Sequence, residues 1–381
     1  MQHKAIFSSD FSLSLSSSPK PELLKNANSI GVVDLFCGAG GMTAGVMMAA
    51  HENHCNLEIA LAVDSDPTAI ETYNENFGFT SKNIIKSDLA QIFGSPGSDL
   101  NPTETSYLSE GKSTDILIAG PPCQGHSNLN NSTRRMDPRN ELYFSVPRAI
   151  EIFKPKVAII ENVPGVIHSK EKVVERTKSF LDSIGYAYKE VVVNFLSLGI
   201  PQTRQRHILL ASTDENFLHT VLQNKITTTI PSIRNWISNL PTHGNPLLDR
   251  KTKASQENHD RISYLFENNI YDLPNELRPK CHSNGNHSYN SVYGRLNPDK
   301  PSQTITSGFG SMGQGRYVHP FHRRTITARE AARIQGFPDW FNFDCIQNIT
   351  TLRQVIANAV PAALTYSITK DYFKFHPSKN N

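Results

Sequence analysis

The chain has 381 residues, enough for one large or two modest domains, with 38% apolar residues gathered in compact runs and a formal net charge of +3. Global disorder is thereby excluded, and a polyanionic partner is permitted without being required. No stretch approaches the roughly 20 apolar residues of a spanning helix, and five cysteines with no CxxC pair argue against a disulfide framework or a zinc site of cysteines.

Ser8–Ser18 alternates Phe11, Leu13 and Leu15 with serines. It lacks the apolar block and small-residue cleavage site of a secretory signal, and no arginine precedes Arg134 as a mitochondrial presequence would want. Residues 1–29 are therefore expected to form a flexible tail. Ile30–Leu35 is a short β-branched run that stops at a glycine cluster and continues into a helix over Thr43–Ala50. Leu57–Val63 repeats the strand signal, Pro67–Asn76 has helical spacing, and Ile84–Ile85 is a weaker strand before Asp88. Ile116–Ala119 and Val157–Ile160 follow, with a helix over Tyr143–Phe153 between them, and Val191–Phe195 and His207–Ala211 complete the series. Short apolar strands alternating with helices predict parallel strands covered on both faces, hence an α/β fold with a doubly wound, Rossmann-like sheet.

From about residue 214 to 320 the pattern degrades into Asn, His, Ser and Pro, with local anchors at Trp236, Leu247–Leu248 and Ile262–Phe266. So long a stretch exceeds an ordinary loop and reads as a smaller second domain. Thr327–Gln335 then reads as a helix with a threonine N-cap and a glutamate at the third helical position, and Gln354–Ile368 ends the fold. The expected division is a tail over 1–29, a main domain over 30–213, a smaller domain over 214–345, and a segment over 346–381 that returns to the main domain.

The chemistry clusters at the predicted strand ends. Asp34-Leu35-Phe36-Cys37-Gly38-Ala39-Gly40-Gly41 is a glycine turn opening a helix, where backbone can approach a ligand and free N–H groups await one. Alone it is as well read as a tight turn. Asp64, about 20 residues on, ends the second strand, where a carboxylate can hold ribose hydroxyls; taken singly it is a strand-end turn former. Asp88, after the third strand, can accept from an adenine amino group. With the glycines, the two acids point to a nucleoside cofactor, and Phe36 offers an aromatic face to a cation such as a sulfonium. In Gly120-Pro121-Pro122-Cys123-Gln124-Gly125-His126-Ser127 two prolines stiffen the chain before a cysteine and a polar run follows. This suits a nucleophile on a rigid mount under a mobile loop, although a lone cysteine is more often a small buried apolar residue and the plain alternative for the motif is a proline-stiffened structural turn. Glu161 ends an apolar strand, so its carboxyl is partly desolvated and suited to proton donation near neutrality, or else it caps the next helix. In Gln202-Thr203-Arg204-Gln205-Arg206, alternation would send both arginines to one face, where planar forks suit a carboxylate, a base oxygen or a phosphate; the plain alternative is a solvated ion-pairing edge.

In this order the motifs resemble the DNA cytosine-5 methyltransferase family, from about residue 30 to 370. The likeness is carried by DLFCGAGG at 34–41, Asp64, Asp88, GPPCQGHS at 120–127, ENVPG at 161–165, QTRQR at 202–206, RLNPDKPSQTIT at 295–306, TAREAARIQGFPD at 327–339 and Asn358-Ala359-Val360-Pro361. Ala357 stands where the family pattern has glycine, and His126 where many members have an aromatic residue. The resemblance implies S-adenosylmethionine as cofactor, held by Phe36, Gly38, Gly40, Asp64, Asp88, Pro122, Leu142 and Asn358, with no metal. It implies that Cys123 adds to cytosine C6, that Glu161 serves N3, and that Arg206 grips O2 with Arg204 in support. The base must leave the duplex, under a loop of residues 124–137 that includes Asn128, Asn130, Asn131, Arg134 and Arg135, while 214–320 takes the place of a target-recognition region whose polar side chains can read base edges. A monomer acting on double-stranded DNA in the bacterial cytoplasm, paired with a restriction endonuclease, is the expected setting. An RNA methyltransferase of the same fold would want a Cys-Phe-Thr signature that is absent. A silent DNA-binding module is at odds with intact Cys123, Glu161 and Arg206. An adenine amino-methyltransferase would need an Asn- or Asp-Pro-Pro-aromatic tetrad in place of Gly120-Pro121-Pro122-Cys123.

Overall fold

The computed structural model describes residues 3–78, 83–111, 113–122, 142–169, 171–223, 225–227, 230–240, 245–283 and 291–377. A seven-stranded sheet is built from β1 (Ser29–Leu35), β2 (Asn56–Asp64), β3 (Ile84–Lys86), β4 (Ile116–Ala119), β5 (Val157–Asn162), β6 (Ala187–Asn194) and β7 (Gln205–Ser212), in the order β3-β2-β1-β4-β5-β7-β6. β1, β4 and β5 are buried along almost their whole length, as strands with both faces covered must be. Leu35 lies opposite both Val63 and Ala119, and Ala119 opposite Ile160. That register levels the carboxyl ends of four strands and gathers the residues just beyond them, the usual place for a ligand in such sheets.

The sheet is α/β, as expected, but not wholly parallel. β7 runs antiparallel to both β5 and β6. Residues 195–204 are too few for the crossover of a dozen or more that a parallel neighbour requires, whereas an antiparallel return needs no such length.

The chain forms two compact units, one of residues 1–19, 195–204 and 224–361, the other of residues 20–194, 205–223 and 362–381. This differs from the expected division in four places, one being that residues 214–223, expected in the smaller domain, lie in the larger unit. The expected tail instead holds a strand, His3–Ala5, paired antiparallel with Lys225–Thr227, and then a helix, Ser9–Ser16, all in the smaller unit. Ser8 caps it, Ser12 donates to the carbonyl of Leu198 at 2.5 Å, and Trp236 donates to Ser9 at 3.1 Å. The serines thus satisfy polar atoms of a buried interface, with Leu15 on the inner face. Residues 195–204 also join the smaller unit, through Phe195 and Leu198, both fully buried. At the other end the larger unit takes only the final helix, Ala362–Phe375. It closes on the helix Gly41–Glu52, where Thr365 donates to the carbonyl of Met42 at 2.6 Å and a Cβ on Gly45 would lie 2.0 Å from the carbonyl oxygen of Ala362. Only glycine permits that approach.

The smaller unit has its own apolar cluster of Ile262, Leu265, Leu273, Val292, Tyr293, Met312 and Val318. The helix Ala328–Ile334 carries the capping box foreseen at Thr327 and Glu330. Among the described residues no helix is long and apolar enough to cross a membrane.

One buried ion pair braces the larger unit. Arg148 meets Glu104 through two hydrogen bonds, of 2.9 and 2.8 Å, and both side chains are almost wholly buried. Burial works to raise the Glu104 carboxyl, but Arg148 and the amides of Asn101 and Gly94 prevail and hold it at about 2. Its contribution to stability is therefore complete above the ordinary value of 4.5 and is lost as pH falls toward 2. Arg148→Met, which strands the carboxylate, is expected to cost about 3–5 kcal/mol at neutral pH. In chemical denaturation the gap between variant and wild type should narrow from pH 5 to pH 2.5; a gap that holds constant would assign the effect to packing alone.

Candidate active site

β1 ends at Leu35 and the chain turns at once, with φ of 55° at Phe36, 52° at Gly38 and 92° at Gly40. A Cβ on Gly40 would lie 2.3 Å from the Phe77 ring, so this position admits only glycine, while over Gly38 the space is open to 4 Å. Asp64 ties the turn to β2: one carboxylate oxygen accepts from the Gly38 amide at 2.9 Å and the other from Asp66 at 2.9 Å. No side chain caps the helix that starts at Gly41, which leaves the N–H groups of its first turn for an anionic group.

Beneath the turn lies Asp34, fully buried. Thr43 donates to one of its oxygens at 2.5 Å and lies 2.9 Å from the Tyr73 hydroxyl, while the other oxygen has no hydrogen-bond partner among the described residues. Burial pushes the Asp34 carboxyl up to about 7; the Thr43 bond opposes this and the nearby Asp64 adds to it. Burial also raises Asp64, against the pull of the Asp66 and Gly38 amides. Cys37, buried beside both acids, is pushed up well above an ordinary thiol and is no candidate nucleophile. Two acids held against their solvation, a glycine cradle open on one side and a helix start without a side-chain cap together fit a ligand that carries a cation, hydroxyls and a carboxylate. S-adenosylmethionine is such a molecule.

Asp88 is exposed after β3 and caps the helix Leu89–Ile92 through the Ala90 amide at 3.0 Å, while the Ser87 amide donates to the carbonyl of Asp64 at 3.0 Å, which keeps the two acidic strand ends adjacent. Pro122 and Leu142 are half-buried. Between them Cys123, on which the nucleophile reading falls, and the loop 124–137 lie outside the described residues.

Glu161 stands at the end of β5, only 8% exposed, and forms an ion pair with Arg206 at 2.6 Å. A Cβ on Gly120 would lie 3.7 Å from its Oε2 and 3.9 Å from the carbonyl oxygen of Phe36, so the start of the Pro-Pro-Cys segment, the glycine turn and this carboxylate share one corner of the larger unit. Asn162 donates to the carbonyl of Pro121 at 3.2 Å and accepts from Val163 at 2.8 Å. It steadies the proline mount, a role hidden within the ENV triplet.

The two arginines take different partners. β7 starts at Gln205, and before it Gln202 bridges to Ser302 in the smaller unit. Along 202–206 burial alternates, with Gln202 and Arg204 buried, Arg206 half-buried, and Thr203 and Gln205 exposed. Arg204 donates to the carbonyls of Ala357 at 2.7 Å and Ile305 at 3.5 Å, whereas Arg206 is in the larger unit with Glu161. Asn358, exposed, is the last residue of the helix Ile349–Asn358 in the smaller unit. Sequence reasoning passed over Thr43, Tyr73, Asn162, Gln202 and Gln335, which act on backbone or on other side chains. Only their nearness to a motif signals them.

The family model for C-5 cytosine-specific DNA methylase matches residues 30–374. The Type II methyltransferase M1.BsuMI of Bacillus subtilis is 42% identical over 93% of this chain and 82% of its own length. The Type II methyltransferase M.NgoFVII of Neisseria gonorrhoeae is 30% identical over 89% of this chain and 85% of its own. Among solved structures, the Entamoeba histolytica methyltransferase EhMeth aligns with a TM-score of 0.61 at 19% identity, covering 92% of this chain and 99% of that one, a likeness of fold.

Proposed function

The chain belongs to the C-5 cytosine-specific DNA methylase family, and on that premise we propose that it transfers a methyl group from S-adenosylmethionine to C5 of a cytosine swung out of a specific double-stranded DNA sequence, protecting that sequence from a partner restriction endonuclease. The observation that carries this reading is the ion pair of buried Glu161 with half-buried Arg206, set in one corner with Gly120 and the Phe36 turn.

When bound, S-adenosylmethionine supplies an electrophilic methyl group. Phe36, Gly38, Gly40, Asp64, Asp88, Pro122 and Leu142 are the residues of the larger unit proposed to hold it. The rest of the chemistry falls to the chain. Cytosine C5 is a poor nucleophile because its ring is aromatic. The Cys123 thiolate adds to C6, forming a C–S bond and leaving C5 enamine-like. Glu161 gives a proton or hydrogen bond to N3 as charge enters the ring, and Arg206 holds O2, both aimed at charge that develops only during reaction. After transfer the C5 proton passes to water, the C–S bond breaks with Cys123 leaving as thiolate, and a proton given to N3 returns to Glu161. Extruding the base costs a few kcal/mol, recovered in contacts to the flipped ring.

Incubation with methyl-labelled cofactor and either duplex DNA or transfer RNA tests the reading. Label is expected in DNA alone, as 5-methylcytosine, and bisulfite sequencing of DNA from an expressing host should show one recurring sequence context. Label confined to RNA would overturn the DNA assignment, and methylation without sequence context would overturn the protective role.

A further inference from the structure

Arg250-Lys251-Thr252-Lys253, in the smaller unit, places three cations within four positions. Arg250, Lys251 and Lys253 are exposed, and among the described residues none of them has an ion-pair partner. The acids near them in sequence are engaged elsewhere. Asp249 meets Arg329 through both oxygens, at 2.7 and 2.9 Å, Glu257 pairs with Arg261 at 3.5 Å, and Asp260 accepts from Gln256 at 2.9 Å. Other exposed arginines of this unit do have counter-charges: Arg234 pairs with Asp299 and Arg323 with Glu267.

The basic run is also anchored. Leu248, buried just before it, accepts at its carbonyl from the Arg329 amide at 3.0 Å. Thr252, half-buried between the two lysines, accepts from the Arg353 guanidinium at 2.7 Å. Arg353 in turn lies against Gly310, where a Cβ would come within 2.0 Å of its Nη2. A fourth cation therefore stands beside the run. Burial lowers the Arg353 guanidinium from its ordinary value, and the neighbouring Arg250 charge lowers it further, a repulsion that a bound anion would relieve.

Like charges gathered without counter-charge favour a polyanion. From Arg250 to Lys253 the backbone spans at most about 11 Å. Over that length one strand of a duplex carries about three phosphates, one per roughly 3.4 Å of axis.

We propose that Arg250, Lys251 and Lys253 bind backbone phosphates of one DNA strand and anchor the duplex to the smaller unit whatever its base sequence. This rests on the reading of the chain as a DNA methyltransferase and adds a division of labour to it. The run fixes where the duplex lies, and other side chains of the unit are left to read bases. The hold of Arg353 on Thr252 orders the run before DNA arrives, so that little ordering remains to oppose binding.

Anisotropy of labelled duplexes titrated between about 50 and 200 mM salt, beside methylation kinetics, tests the proposal. Arg250→Gln, Lys251→Gln and Lys253→Gln are each expected to make the plot of log Kd against log salt shallower by about 0.9. For the triple variant the change is about 2.7, so that wild type loses about fortyfold more affinity than the variant over that range. The weakening should be equal on duplex with the methylated sequence context and on unrelated duplex, and kcat with DNA saturating should stay within about threefold of wild type. Lys25→Gln, the same loss of charge at an exposed position of the larger unit, should leave the slope unchanged. Should the triple variant fail to fold by circular dichroism, the single variants decide the matter. A wild-type slope in the variants would overturn the inference, as would an equal fall in Lys25→Gln or a loss confined to the methylated sequence, with the methyltransferase reading left intact in each case. Binding lost on transfer RNA but kept on duplex would give the run to RNA and overturn it too. A wild-type protein that methylates no duplex DNA would remove both readings.

Discussion

Cys123→Ala is expected to abolish methyl transfer to DNA, lowering kcat on the order of 10⁴-fold or more, as removal of a covalent nucleophile does elsewhere. The size of the effect follows from the ring. Without a bond at C6 the aromatic system stays intact and C5 has no electron density to offer, so no rearrangement of Glu161 or Arg206 replaces the missing sulfur. Duplex DNA carrying 5-fluorocytosine at the target isolates the step, because fluorine in place of the C5 proton blocks release. Wild type should give a complex that survives denaturing electrophoresis, and Cys123→Ala none. Turnover by the variant near the wild-type rate would remove the covalent scheme altogether.

Glu161→Gln is the second large effect, an expected loss of roughly 10²–10⁴ in kcat, the usual worth of a positioned proton donor. An amide keeps the shape and can still donate one hydrogen bond, but it cannot transfer a proton to N3. It also leaves the Arg206 guanidinium beside a neutral partner where the carboxylate now lies at 2.6 Å. Arg206→Met should therefore share much of the same defect, and the double variant should fall well short of the product of the two single losses. The measurement is single-turnover transfer with DNA and cofactor saturating. A Glu161→Gln rate within threefold of wild type would detach this carboxylate from the chemistry.

The sequence was most readable where a residue's type and its place on a strand say the same thing. Ile30–Leu35, Ile116–Ala119 and Val157–Ile160 are apolar on both faces and formed buried strands of the sheet. Asp64 and Glu161 ended their strands as spacing required, and the Thr327–Glu330 capping box formed. It was least readable where pairing is decided at a distance. Burial alternates along residues 202–206 as strand spacing has it, yet Arg204 holds the carbonyls of Ala357 and Ile305 while Arg206 pairs with Glu161. Alternation alone cannot reveal such a partner. Likewise Ser9–Ser16 looked like tail because its serines look solvated; Ser12 and Ser16 are buried, with their hydroxyls on the carbonyls of Leu198 and Ser12.

The route of the chain also orders its birth on the ribosome. β7 lies between β5 and β6 although residues 195–204, which connect it to β6, belong to the other unit, and the face of the helix around Gly45 is covered by Ala362–Phe375, more than 300 residues on. The larger unit therefore cannot close as it is translated, even though half the sheet emerges early. Contacts of such long sequence separation slow folding and leave apolar surface open meanwhile. A chain truncated ahead of residue 362 is then expected to leave the helix around Gly45 uncovered and to meet chaperones and proteases as an unfinished globule.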